Sequence, residues 1–288
     1  MKYYYNIDAI MIRQIDENYY VESNEYKYLF CECDIYNFEK IERYIYDNLN
    51  YHQLLLTSNG EKVVEYDHKI YALFKINITY RKITIDDLYD SMIDIKYEVL
   101  NIPLKWKQLW SKRIDYIEYQ MDELNSKYSL LSKITHYYIG MAENAIQLLE
   151  KMNNCIVDNC ITHRRIKYNM NTYELYNPTL CVIDSRVRDL AEYYKDKFFY
   201  TEISCNEILN DIYSNLSKMP QNETIMFFVR LLYPSYFFDL YDMIMMGLEV
   251  EKKLDIIMVK SMNYEKMLKT LLKEIKKTTY IDNIDWLN

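Results

Sequence analysis

Glycine is nearly missing from this chain. Only Gly60, Gly140 and Gly247 occur among 288 residues, where average composition would give about twenty. A phosphate-binding P-loop needs two glycines within six residues, and a dinucleotide fingerprint needs three in close order. Neither can be written with glycines this far apart. Nucleotide binding through a glycine-lined cradle is therefore excluded. A nucleophile elbow is excluded for the same reason, so Thr162 and His163 form no Ser-His-Asp-type set. A basic surplus is also missing: 35 Lys and Arg stand against 43 Asp and Glu, a net charge of −8. Nucleic-acid binders carry a cationic patch or stripe. The short basic cluster Lys273, Lys276 and Lys277 is interrupted by Glu274, and nucleic acid is not an expected partner. Long apolar runs are absent too. Ile225 to Val229 is typical of the longest, far short of the ~18 residues of a membrane span. Nothing at Met1 to Asn6 resembles the apolar core of a signal peptide. The expectation is a protein made in the cytoplasm, with no membrane partner.

What remains is the composition of a globular protein, 50% hydrophobic and 27% charged, enough for a packed core. Tyrosine is heavily used, with 33 residues, and together with abundant Ile, Asn and Lys it points to an AT-rich genome. The six cysteines are expected to be reduced thiols. Cys155, Cys160 and His163 lie within nine residues, with Cys181 as a conceivable fourth zinc ligand. Their spacing departs from that of structural zinc sites, so buried thiols are the favoured reading.

The texture of the chain changes once, near Asn77. Before it, Tyr19–Val21 and Tyr26–Cys33 read as aromatic-rich strands split by Ser23-Asn24. Ile35, Phe38, Ile41, Ile45 and Leu49 then recur at helical steps. Three further strands are predicted, at 54–57, 63–66 and 70–76, with turns at Ser58-Asn59-Gly60 and Asp67-His68-Lys69. Beyond residue 83 helices dominate: 86–99 entered by Thr84, one from Pro103 carrying Trp106, Trp110, Ile114, Ile117 and Met121, then 130–152, 187–194, 205–216, 222–232, 237–248 and 262–277. A loop-and-strand insert at 155–185 interrupts them. The class is α+β: a small antiparallel-sheet lobe with one helix (1–77), followed by a larger, mostly helical lobe (78–288).

The insert carries the chemistry. Thr162-His163-Arg164-Arg165-Ile166-Lys167-Tyr168-Asn169-Met170-Asn171 is followed by Leu180-Cys181-Val182-Ile183-Asp184. This pair of segments resembles the catalytic loop and metal-binding strand of protein-kinase-like and aminoglycoside-phosphotransferase-like enzymes. Tyr137 to Ile146, Arg188-Asp189-Leu190-Ala191-Glu192 and Arg230 to Asp239 narrow the resemblance to the spore-coat-associated kinase-like proteins of endospore-forming bacteria, over residues 15 to 250. The resemblance implies a two-lobed kinase-like fold and a place in the spore coat among other coat proteins. It puts His163 at the triplet's histidine and Asp184 at the metal-binding aspartate. Asn169 or Asn171 takes the position of the second metal ligand.

Departures from that pattern bear on activity. Arg165 stands where the catalytic aspartate belongs, and a guanidinium accepts no proton. Cys31 and its neighbours occupy the strand position of the phosphate-binding lysine; Lys27 comes too early. Glu39 and Glu42 would be that lysine's partners on the helix. The glycine-rich phosphate cover is absent. With these parts missing, a degenerate, non-catalytic kinase-like scaffold is the leading expectation, with no assigned cofactor. The alternative is an active phosphotransferase on a small molecule or coat protein, using Mg-ATP. A helical interaction protein unrelated to kinases is a third. For single residues, plainer roles compete: Asp184 as a helix N-cap, His163 as a hydrogen-bonded structural histidine, and Arg164, Arg165, Arg186 and Arg188 as ion-pair partners of Asp189 and Glu192, or as an anion pocket.

Overall fold

The computed structural model describes residues 1–15, 18–95, 100–124, 128–152 and 155–287. In chain order the elements are α1 (Lys2–Tyr5), β1 (Met11–Ile15), β2 (Asn18–Glu22), β3 (Lys27–Glu32), α2 (Ile35–Ile45), β4 (Gln53–Leu55), β5 (Val64–Tyr66), β6 (Lys69–Ile76), α3 (Ile85–Ser91) and β7 (Ile93–Asp94). There follow α4 (Ile102–Leu124), α5 (Ser129–Lys151), β8 (Asn159–His163), α6 (Thr172–Leu175), β9 (Cys181–Ser185) and α7 (Val187–Tyr200). The chain ends with α8 (Cys205–Leu216), α9 (Gln221–Leu232), α10 (Ser235–Met245) and α11 (Leu254–Ile275). Two compact units emerge: Met1–Lys96 with Cys160–Asp184, and Tyr97–Asn159 with Ser185–Asn288.

The first unit is built on an antiparallel sheet ordered β1-β2-β3-β6-β4, with β5 also paired to β6. Alternation of side chains gives the sheet two different faces. Val21, Tyr28, Phe30 and Leu73 form one buried layer with Tyr5 of α1, and Phe30 stacks on Tyr71 at 4.7 Å. The pairs Tyr20↔Leu29, Leu29↔Phe74 and Cys31↔Ala72 belong to the other face. There α2 packs, with Phe38 edge-on to Phe74 at 5.5 Å. Asp34 caps α2 by accepting the Asn37 N–H. A second, small sheet runs β7-β8-β9, and its register pairs Ile93 with Ile161 and Asp94 with Cys160.

Glycine scarcity shows in the β5–β6 hairpin. Tyr66 pairs with Lys69, leaving a two-residue loop of Asp67 at φ 50° and His68 at φ 60°. Such loops need φ > 0 at both positions and favour Asn-Gly; here two side-chain-bearing residues hold the left-handed conformation.

The second unit is a helical assembly with an aromatic interior. Tyr138 of α5 stacks on Phe237 of α10 at 3.9 Å, Phe199 of α7 on Tyr236 at 3.8 Å, and Trp110 of α4 on Tyr233 at 3.9 Å. Lys195 is buried on α7, where its ammonium donates to Glu192 at 2.7 Å and to Ser235 Oγ at 2.5 Å. No helix among the described residues is long and apolar enough to cross a membrane.

Several boundaries differ from those read in the sequence. The helix entered by Thr84 ends at Ser91 instead of running to Val99. Met92 turns extended, and Ile93 and Asp94 are drawn into pairing with β8; residues 96–99 lie outside the described residues. Helix α11 starts at Leu254, eight residues before the expected Met262. Ile256, Met258, Val259 and Met262 are exposed, so its first turns show no clean apolar stripe. Strand β1 went unread because all five of its residues are exposed.

Candidate functional site

His163 ends β8, a strand buried along its whole length. Its Nε2–H donates to the carbonyl oxygen of Leu175 at 2.7 Å, and the ring is fully buried. The histidine thereby ties the strand to α6. Asp184 lies on β9, also fully buried, and β8 and β9 are neighbours in one sheet. Arg164 N–H donates to the Leu180 carbonyl at 2.9 Å, and Thr162 Oγ1 to that of Val182 at 3.3 Å. The triplet and the aspartate strand are therefore brought side by side.

Asp184 is not a helix N-cap. The cap position of α7 is Arg186, two residues further on, and it makes no side-chain capping bond. Arg165 is exposed, with Nη1 donating to the Arg164 carbonyl at 3.0 Å. Arg164, also exposed, faces Asp34 at 3.9 Å. Asn169 sits exposed in a turn. Asn171 is instead the N-cap of α6: its side-chain oxygen accepts from Glu174 N–H at 3.1 Å, and Glu174 reciprocates. Of the two asparagines, Asn171 has a structural duty.

On the face of β3 that carries Cys31, the side chains of Asn177 and Thr179 close in. Cys31 is buried, its Sγ 3.9 Å from Asn177 Oδ1 and 3.8 Å from Thr179 Oγ1. Burial pushes its thiol up to about 12, so it is neutral. Asn177 Oδ1 also accepts the N–H of Thr179 at 3.1 Å and its hydroxyl at 3.0 Å. Glu39 and Glu42 of α2 do have a lysine, but it comes from the loop before β5: Lys62 Nζ lies 2.7 Å from Glu42 and 3.6 Å from Glu39.

Further along the same face, Tyr20 stacks on Tyr173 at 5.9 Å, and Tyr80 meets Tyr173 edge-on at 5.2 Å. Burial, reinforced by the Glu174 carboxylate, raises the Tyr20 hydroxyl to about 12. These rings border a pocket of about 350 Å3 that also takes in Arg13, Lys27 and Glu174. Lys27 is on the face of Cys31 but four residues earlier, 3.9 Å from Glu22. No group of three or more His, Cys, Asp or Glu among the described residues is placed to hold a metal ion. Cys160 and Cys181 are buried free thiols, and Cys155 is half-buried.

In the second unit, the guanidinium groups of Arg188 and Arg230 lie 5.0 and 4.7 Å from the ring of Trp106. Arg230 Nε also donates to Ser185 Oγ at 3.2 Å. Glu192 is engaged by Lys195.

Residues 1–271 match the family model described as the spore coat putative kinase YutH. The chain belongs to this family. The endospore coat-associated protein YutH of Bacillus subtilis (strain 168) is 26% identical, over 81% of this chain and 78% of that protein. An aminoglycoside phosphotransferase from Alicyclobacillus acidocaldarius has a similar fold, with a TM-score of 0.57 at 10% identity, over 95% of this chain and 94% of that one. A thermostable mutant of the aminoglycoside phosphotransferase APH(4)-Ia, in complex with AMP-PNP and hygromycin B, gives 0.51 at 9% identity, over 91% and 95%. The fold of this YutH family member is thus kinase-like and α+β, and the unrelated helical protein considered from sequence is set aside.

Three site features escaped the sequence reading. The Lys62 bridge joins residues twenty positions apart in the chain, across a loop. Asn177 carries no motif. The Tyr20–Tyr173 stack is one choice among 33 tyrosines. Only the first left a signal, since Glu39 and Glu42 on one helix face called for a cation.

Proposed function

We propose that this YutH family member is a kinase-like protein without phosphotransfer, which serves the endospore coat as a scaffold. It would be made in the cytoplasm and assembled with other coat proteins. The observation that carries this reading is Cys31: a neutral, buried thiol hydrogen-bonded to Asn177 and Thr179, where a kinase-like site needs an ammonium. Arg165 adds to it, because a guanidinium cannot accept the proton of an attacking hydroxyl. The residues present do not fit Mg-ATP well. Asp184 is buried, Asn169 is an exposed turn residue, and no lysine follows Lys27 on β3. Each such part of a phosphotransfer site contributes heavily to rate; one supplied arginine alone is worth ~10³–10⁵.

A thermal-shift titration of the full chain with ATP and magnesium tests this. Binding at about 100 times Kd adds about 2.7 kcal/mol to stability, a clear shift. No shift is expected. Magnesium-dependent ATP hydrolysis abolished by Asp184→Ala would instead establish the second reading, phosphotransfer to a small molecule or a coat protein. That reading draws on Lys27 and the pocket it borders.

A further inference from the structure

Strand β1 is the edge of the large sheet, with β2 on one side and no strand on the other among the described residues. An edge presents unpaired backbone N–H and C=O groups, and proteins blunt it with charged side chains (lysine above all), proline, a bulge or a cover; β1 has one such charge, Arg13, at its centre. Met11-Ile12-Arg13-Gln14-Ile15 has neither lysine nor proline and is exposed throughout. Met11, Ile12 and Ile15 are 49%, 56% and 40% exposed. The pocket of about 350 Å3 opens beside this edge and is lined by Met11, Arg13 and Ile15 from one face of it. Arg13 is the strand's single charge, with no ion pair among the described residues. Its neighbour across β2 is Tyr20, and the nearby Glu22 lies 3.9 Å from Lys27.

We propose that β1 docks an extended segment of another protein by strand addition, with an acidic residue placed opposite Arg13 and apolar residues beside Met11 and Ile15. Backbone pairing would supply affinity, and the pocket and Arg13 specificity. Paired residues share a sheet face, so the acid would stand at the mouth of the pocket. A second copy of this chain fits less well. β1 holds no carboxylate, and two β1 strands crossing at their midpoint would set Arg13 against Arg13. Backbone pairing at β1 requires no phosphate transfer, but the phosphotransfer reading would use the same pocket, so binding is measured without nucleotide.

The test uses a fluorescein-labelled peptide that alternates valine and threonine around a central aspartate. A central-lysine version and a backbone N-methylated version accompany it. Fluorescence anisotropy on the full chain, without nucleotide, should rank aspartate over lysine by roughly tenfold, the span of a favourable against an unfavourable cross-strand charge pair. N-methylation should abolish binding, and Arg13→Glu should reverse the ranking, with circular dichroism confirming the fold. Equal binding of the aspartate and lysine peptides, or no saturable binding of either, overturns the proposal. So does a wild-type dimer in sedimentation that Ile12→Lys dissociates, because the edge would then belong to a second copy. A nucleotide-induced thermal shift would touch only the reading of the site, not this one.

Discussion

The thiol of Cys31 lies 3.8 Å from the hydroxyl oxygen of Thr179, two neutral groups in contact on one face of the large sheet. Asn177 completes the arrangement and is itself buried. An ammonium introduced there would compete with Lys62 for Glu39 and Glu42, which that loop lysine already engages.

Cys31→Lys is therefore expected to weaken the fold by about 3–5 kcal/mol, the range for an unpaired buried charge, and to bring no nucleotide binding. Urea denaturation and the ATP thermal shift measure the two effects. A stable variant that binds Mg-ATP would mean the site is one residue from function.

Thiol chemistry offers a direct check on the same packing. Cys31 and Cys33 are both raised to about 12, by burial in each case, with the Asp34 charge adding to the second. The thiolate is the reactive form. Alkylation at pH 8 should label half-buried Cys155 and Cys205 first. Cys31 and Cys33 should react only after denaturation, as peptide mass spectrometry would show.

His52 makes stability depend on pH. It is buried, its Nε2 donates to the Tyr173 carbonyl at 2.9 Å, and desolvation lowers its pKa to about 4. The folded state thus resists protonation that the unfolded chain accepts near 6.5. Above that pH the group has no effect. Stability falls as pH drops from about 6.5 toward 4, by about 2 kcal/mol at pH 5. Urea midpoints of wild type and His52→Gln at pH 7.5 and 5 should differ in slope. Equal slopes would place the histidine in water.

The β5–β6 loop should be improvable. Asp67→Asn with His68→Gly puts the favoured residues at both left-handed positions and should add about 1 kcal/mol, since left-handed strain at one non-glycine residue amounts to ~1–2 kcal/mol. A rise in the urea midpoint with unchanged slope is the expected result.

Much of this architecture was written in local pattern. Of the predicted α2 stripe, Phe38, Ile41 and Ile45 are buried as their spacing implies, but the helix stops at Ile45 and Leu49 is exposed beyond it; the apolar run before Asp184 is a strand. The neighbouring segments at His163 and Asp184 do lie side by side. What failed was decided by tertiary surroundings. Ile93 and Asp94 left their helical pattern for a partner 68 and 66 residues away, Ile161 and Cys160. β1 has no buried face to announce it. Cys31 was visibly not a lysine, but that Asn177 and Thr179 close around it depends on a turn nearly 150 residues further along the chain.

The Lys62 bridge also bears on any attempt to engineer a cation into this sheet. With the α2 carboxylates held by Lys62 and Asn177 and Thr179 packed on the Cys31 thiol, a lysine at position 31 would meet neutral groups and carboxylates that are already engaged. An ammonium there would need at least two accompanying changes, one to release Glu39 or Glu42 from the loop and one to open space beside Asn177.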